Sequence, residues 1–178
     1  VPLPFPFVFY GVPRSTAWVG SNGTLSFSAD GQPWRYVNGP LPAVDMPDTV
    51  FAFWDDLTLR DPGVCVAALN TAPSRQLVFT WRDAHFAGPD VPDTRLSFSL
   101  VLTETSHTLD LLYGTMTGDG DRATGSSATV GLQRDRGSRV DLVGFDTAGT
   151  VTPNTGLRWT PTIQAVCDGA GACVTCDP

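Results

Sequence analysis

The chain has 178 residues, enough for one domain with a sizeable core, and is 42% hydrophobic against 16% charged, which excludes a disordered segment. Its formal net charge is −7, and all 11 basic residues are arginine. An acidic chain without basic clusters repels a phosphate backbone, so nucleic acid and anionic membrane surfaces are excluded as partners.

In chain order, the first strand signal is Leu25-Ser-Phe27, after the turn former Ser21-Asn22-Gly23. Asn22-Gly23-Thr24 also matches the N-glycosylation sequon, but Asn-Gly is a strong turn pair, and the turn is the preferred reading. Residues 34–47 are rich in Pro, Gly and Asn and read as a loop. Residues 50–54 form an apolar strand ending at Asp55-Asp56. Leu77-Val-Phe79-Thr-Trp81 and Leu96-Ser-Phe98-Ser-Leu100-Val-Leu102 alternate with period two, placing one face in a core and the other in solvent. Between them, residues 84–92 read as a second loop. Residues 109–113, 129–132 and 140–143 are further strands.

Residues 96–102 and 109–113 are expected to pair as a hairpin, with Leu96, Phe98, Leu100, Leu102, Leu109 and Leu111 inward. Glu104 and His107 then fall at its exposed tip. Residues 117–127 form a Gly/Asp/Ser loop. With 18 Gly and 15 Pro there is no room for long helices, and no window carries a capped 3.6-residue apolar period. About ten short strands argue for an all-β antiparallel sandwich of jelly-roll-like type. No apolar run approaches the roughly 20 residues of a membrane-spanning helix, so no membrane insertion is expected. The chain opens at Val1-Pro2-Leu3-Pro4 without a signal peptide, as a mature or excised product would.

The ordered pieces carry a family resemblance. They are Leu3-Pro-Phe-Pro-Phe7-Val-Phe-Tyr10-Gly11, Trp18-Val-Gly-Ser-Asn22-Gly23, Asn38-Gly-Pro-Leu41-Pro42 and Val50-Phe-Ala-Phe53-Trp54-Asp55-Asp56-Leu57. Gln76-Leu-Val-Phe-Thr-Trp81, Leu109-Asp-Leu-Leu-Tyr113-Gly and Ser127-Ala-Thr-Val-Gly131-Leu follow. Together they resemble the nidogen-like (NIDO) domain of large secreted and surface proteins of bacteria, over residues 3–159. The resemblance implies an extracellular β-sandwich used in adhesion or matrix modules, without catalytic activity. The lysine-free, arginine- and alanine-tolerant composition fits a GC-rich bacterial genome. The expected division is a domain over residues 1–166 and a Cys-rich tail over 167–178.

Four cysteines, Cys65, Cys167, Cys173 and Cys176, suggest two disulfides and an oxidising compartment. Cys173-Val-Thr-Cys176 also has the spacing of half a zinc site, but Cys65 and Cys167 are not a spaced pair that could complete it. The pairing is open among three connectivities. A bridge from Cys65 to the C-terminal cluster is favoured because it closes a long loop.

Two groups of acidic residues are candidate calcium ligands: Asp55 with Asp56, and Asp119 with Asp121 in a glycine-rich loop, since a hard cation takes carboxylate oxygens. Against this, adjacent strand residues diverge, and no Glu closes an EF-hand loop. Trp54 and Trp81 are expected in the core, with Trp18 and Trp159 as further core candidates. Trp34, with Arg35 and Tyr36, sits in a loop where an exposed aromatic could stack on a sugar or anchor a protein, so these three are the candidate ligand-binding residues. His85 and His107 are isolated, and no G-x-S-x-G elbow exists. The expected function is therefore a non-catalytic adhesion or matrix module binding a protein or glycan. The alternatives are a carbohydrate-binding module and an accessory domain of a secreted hydrolase or protease.

Overall fold

The computed structural model describes residues 1–60, 63–88 and 93–161, together with the backbone of Gln164–Cys167 and Cys173–Cys176. The chain is an all-β antiparallel sandwich with no α-helix among the described residues. One sheet runs β13 (Thr155–Trp159), β10 (Leu109–Thr117), β9 (Arg95–Thr103), β8 (Gln76–Phe86) and β6 (Leu57–Thr58), and β7 (Cys65–Leu69) pairs with the other end of β8. The facing sheet runs β12 (Arg139–Phe145), β11 (Thr129–Arg134), β5 (Thr49–Trp54), β4 (Thr24–Ser26) and β3 (Trp18–Val19). A separate hairpin of β1 (Pro2–Phe9) and β2 (Val12–Thr16) packs its phenylalanines into the same core. The backbone of β14 (Gln164–Cys167) and β15 (Cys173–Cys176) forms a further hairpin.

The period-two strands bury the residues expected of them. Leu77, Phe79 and Trp81 of β8, Leu96, Phe98, Leu100 and Leu102 of β9, and Leu109, Leu111 and Tyr113 of β10 all point into the core. Two polar tips cross the sandwich and fix its sheets against one another: Tyr113 Oη donates to Ala52 O (2.8 Å) and Trp81 Nε1 to Gly20 O (2.8 Å). Aromatic side chains buried in this way need such partners.

Several expectations are corrected. β1 is a strand despite three prolines, because Pro2, Pro4 and Pro6 alternate with inward Leu3, Phe5 and Phe7, and its free edge needs no donors from them. β8 runs on to Phe86 through an irregularity between Trp81 and Ala84, so His85 is a strand residue opposite Thr58 rather than part of a loop. Trp18 is exposed on an edge strand, while Trp159 is half-buried against the core.

The hairpin tip is also less exposed than expected. Glu104 accepts from Arg75 Nε (2.9 Å) and from the Arg75 amide, and this guanidinium holds its carboxyl below the usual range. His107 packs edge-on against Phe7, and its Nδ1 accepts from Val8 N. The loop over residues 117–127 contains a 3₁₀ turn, Gly120–Thr124.

Candidate functional site

All six residues of β5 are buried, although a sandwich strand needs only one apolar face. The second face is covered by residues 32–47, which lie as a strap across the outside of the five-stranded sheet. Ala43, Met46, Phe51 and Trp54 form a second small core beneath it, with Leu41 at its margin.

The strap's composition dictates how it is held. Pro33, Pro40, Pro42 and Pro47 carry no N–H, so the strap has more carbonyl acceptors than N–H donors. The underlying side chains supply the donors. Thr24 Oγ1 donates to Pro33 O (3.0 Å), Asn22 Nδ2 to Trp34 O (3.0 Å) and Trp54 Nε1 to Arg35 O (2.9 Å). Thr129 Oγ1 donates to Gly39 O (2.7 Å), and Ser26 Oγ to Pro47 O (2.8 Å). Gln133 is fully buried and holds three groups at once: its Nε2 donates to Ala43 O (2.7 Å) and Met46 O (2.8 Å), and its Oε1 accepts from Ala43 N (2.8 Å). A loop with its polar groups satisfied in this way behaves as part of the fold.

Two glycines make room for this arrangement. A Cβ at Gly20 would lie 1.6 Å from Pro33 O, and one at Gly23, where φ is +74°, would lie 1.9 Å from Phe53 O. Asn22 is buried, with Nδ2 on the strap and Oδ1 accepting from Leu57 N (2.9 Å). Both ends of the amide are occupied by the fold, which accords with the turn reading of the sequon.

The pinned strap displays Trp34, Tyr36 and Val37, which are 67%, 57% and 55% exposed. Large apolar side chains on an ordered backbone are unusual unless something covers them. Arg35 differs from its neighbours. Its guanidinium turns back over the Trp54 ring, 5.5 Å from the centroid, and lies 3.4 Å from Asp45. Of the three ligand-binding candidates, two project outward and one braces the strap.

The four candidate metal ligands are distributed otherwise than a cage requires. Asp55 is buried; Ser127 Oγ donates to its Oδ2, the Asp56 amide donates to its Oδ1 (2.7 Å), and Arg122 lies 3.5 Å from Oδ1. Burial pushes the Asp55 carboxyl above its ordinary value, against the lowering effect of these partners. Arg122 also approaches Asp119 (3.5 Å) and stacks over Phe86, 3.9 Å from the ring centroid. One guanidinium therefore supplies positive charge to both Asp55 and Asp119, and a calcium ion would have to displace it to use them together. Asp121 lies in the 3₁₀ turn. Among the described residues, no group of three or more His, Cys, Asp or Glu could hold a metal.

Cys65 is half-exposed at the start of β7, without a disulfide partner among the described residues. In the β14–β15 register Cys167 lies opposite Cys173, but the side chains of Cys167, Cys173 and Cys176 fall outside the described residues. Among the described residues, neither histidine hydrogen-bonds to a serine, cysteine or carboxylate.

Sequence reasoning missed one feature. Near the β11–β12 turn, a cleft of about 290 Å³ opens between Tyr10, His107, Leu132, Arg134, Arg139, Asp141 and Trp159. Its residues come from five separate stretches of chain, so no local motif marks it.

The fold and these sites define a class: a β-sandwich module whose conspicuous surface features are an ordered aromatic strap and an end cleft. More particularly, the chain belongs to the NIDO-related family, whose model matches residues 1–168. No curated protein and no solved structure matches it. Membership suggests a non-catalytic extracellular module.

Proposed function

We propose that this domain is an adhesion or matrix-type interaction module of a larger secreted or surface protein, and that it binds a protein partner through Trp34, Tyr36 and Val37. The observation that carries this reading is the combination of exposure and order. Three large apolar side chains stand in solvent on a backbone held by buried hydrogen bonds. Such a ridge loses little conformational freedom on binding, and tryptophan and tyrosine are the residues that dominate interface energetics.

The reading extends to the compartment. Cys65 bridged to the C-terminal cluster would suit an oxidising environment, and non-reducing peptide mapping tests it: a free Cys65 thiol in the secreted protein would refute the bridge. Residues 1–166 are proposed as the folding unit.

The test of function compares the wild-type chain with Trp34→Ala on an array of immobilised extracellular proteins and on a glycan array. The expected result is protein binding that falls about 30-fold or more in Trp34→Ala, a hot-spot loss of roughly 2 kcal/mol. Binding confined to glycans would favour the carbohydrate reading, and protein binding unchanged by Trp34→Ala would remove the strap from the account.

A further inference from the structure

The end cleft is lined by no strap residue, and its polar groups have a pattern of their own. Tyr10 Oη donates to Asp141 Oδ2, so one oxygen of that carboxylate is occupied. Asp141 Oδ1 has no hydrogen bond among the described residues. Arg139 lies over the Tyr10 ring, 5.3 Å from its centroid, with Nε 3.8 Å from Asp141. Arg134 Nε is buried and without a hydrogen-bond partner, although Asp135 lies 3.4 Å away. Neither guanidinium donates a hydrogen bond to the protein among the described residues. Elsewhere in the chain, Arg75 and Arg158 each make paired bonds to a carboxylate.

Two open guanidiniums therefore share one cleft with a single, half-occupied carboxylate. Asp135, 3.4 Å from Arg134 Nε, balances the charge, so what the cleft offers a ligand is guanidinium N–H groups without hydrogen bonds to the described residues rather than a net positive charge. The remaining walls are apolar and aromatic: Tyr10, Leu109, Leu132 and Trp159. A ligand that satisfies every group must carry a carboxylate for the arginines, a hydroxyl for Asp141 Oδ1 and a flat apolar face for the rings. A simple carboxylate leaves Asp141 unserved, and a neutral sugar leaves the guanidiniums unserved. The volume is at the small end for binding sites, enough for one ring rather than a chain.

We propose that the cleft formed by Tyr10, Arg134, Arg139, Asp141 and Trp159 binds a single carboxylated sugar residue, of the uronic acid type, with its carboxylate on the two arginines and a hydroxyl on Asp141. The sugar is either free or the end of an acidic polysaccharide.

The experiment is a proton–nitrogen NMR titration of the 178-residue chain with glucuronate and with galacturonate. Glucose and acetate serve as controls, and a uronate tetramer as a further arm. The expected result is saturable shifts at the amides of Tyr10, Gly11 and Asp141 with at least one uronate, with glucose and acetate about tenfold weaker or worse. The Arg134→Gln/Arg139→Gln double variant should keep a dispersed spectrum, since these side chains are 43% and 65% exposed, and should lose about tenfold in affinity. Tighter binding of the tetramer identifies a polysaccharide end as the source; equal binding identifies the lone sugar. No saturable shift with either uronate at about 50 mM, far weaker than a useful site, overturns the proposal. So does equal binding of acetate or of glucose. If the double variant fails to fold, the ranking of the ligands on the wild-type chain still decides the matter.

Discussion

The two sheets of this sandwich meet the outside in opposite ways. The six-stranded sheet turns a conventional polar face outward: Thr80 and Ser99 share a hydrogen bond (2.9 Å), Asp110 pairs with Arg158 on the neighbouring strand, and Leu112 stands exposed. The five-stranded sheet hides its outer face under a strap and builds a second core there, with Phe51 and Trp54 at its centre. The difference lies in the side chains that point outward. On the covered face, Thr24, Ser26, Thr129 and Gln133 aim donors at strap carbonyls instead of at water. A strap with four prolines can lie flat only on a sheet that supplies those donors.

If that contrast is right, matched substitutions on the two faces should differ sharply. The largest effect is expected from Phe51→Ala, which opens a cavity under the strap and should cost about 4 kcal/mol by chemical denaturation. Val78→Ala, outward-facing on β8, should cost less than about 1 kcal/mol. Equal losses would erase the distinction. Gln133→Ala strands three buried strap groups and should cost about 3 kcal/mol, against less than about 1 for Ser99→Ala. A loss for Gln133→Ala as small as that for Ser99→Ala would mean that water readily replaces the amide.

Asp55, at the end of β5, gives a pH-dependent test. Burial raises the folded-state Asp55 carboxyl above its ordinary 3.8. The stability it contributes is therefore full below that value and is lost as pH rises through the higher folded value. Asp55→Asn does not titrate, so melting curves should show the variant gaining on the wild type between pH 3 and pH 7. A variant that falls behind over that interval would assign the dominant role to Arg122. The smallest effect belongs to Trp34→Ala, which should change stability by less than about 0.5 kcal/mol, because the ring is in solvent and only its carbonyl is pinned. A larger loss would show that the ring itself is part of the fold.

Much of this was legible in the sequence. The alternation in β8 and β9 identifies inward residues one by one, although β10 runs on past the expected end at Tyr113 to Thr117 through an irregularity in its pairing. Val50-Phe-Ala-Phe-Trp54 reads as an apolar strand, but that the Pro/Gly-rich stretch before it buries its second face is seen only in the structure, because nothing local in a loop composition says where it lies. β1 was obscured because proline ordinarily argues against a strand, and here it occupies only the outward positions. The end of β8 was obscured by exposed Arg82-Asp83 at an irregularity that interrupts the period.

For the site, Trp34 and Tyr36 stood out as aromatics in a loop, whereas the inward role of Arg35 depends on Trp54 lying beneath it. Gln133 could not be singled out, because its partners lie about 90 positions away in the chain. The same holds for Arg122, which meets Asp55 across 67 positions, and for the end cleft, assembled from both termini and the middle.

The central claim is that the strap is part of the folded core, and native-state hydrogen exchange at the Ala43 amide tests it most directly. That N–H is bound to Gln133 Oε1 beneath the strap. It should exchange only through global unfolding, with a protection free energy equal to that of the Phe51 amide in the middle of β5. Exchange at Ala43 within about tenfold of the unstructured-peptide rate, while Phe51 stays protected, would contradict the account and make the strap an independent loop.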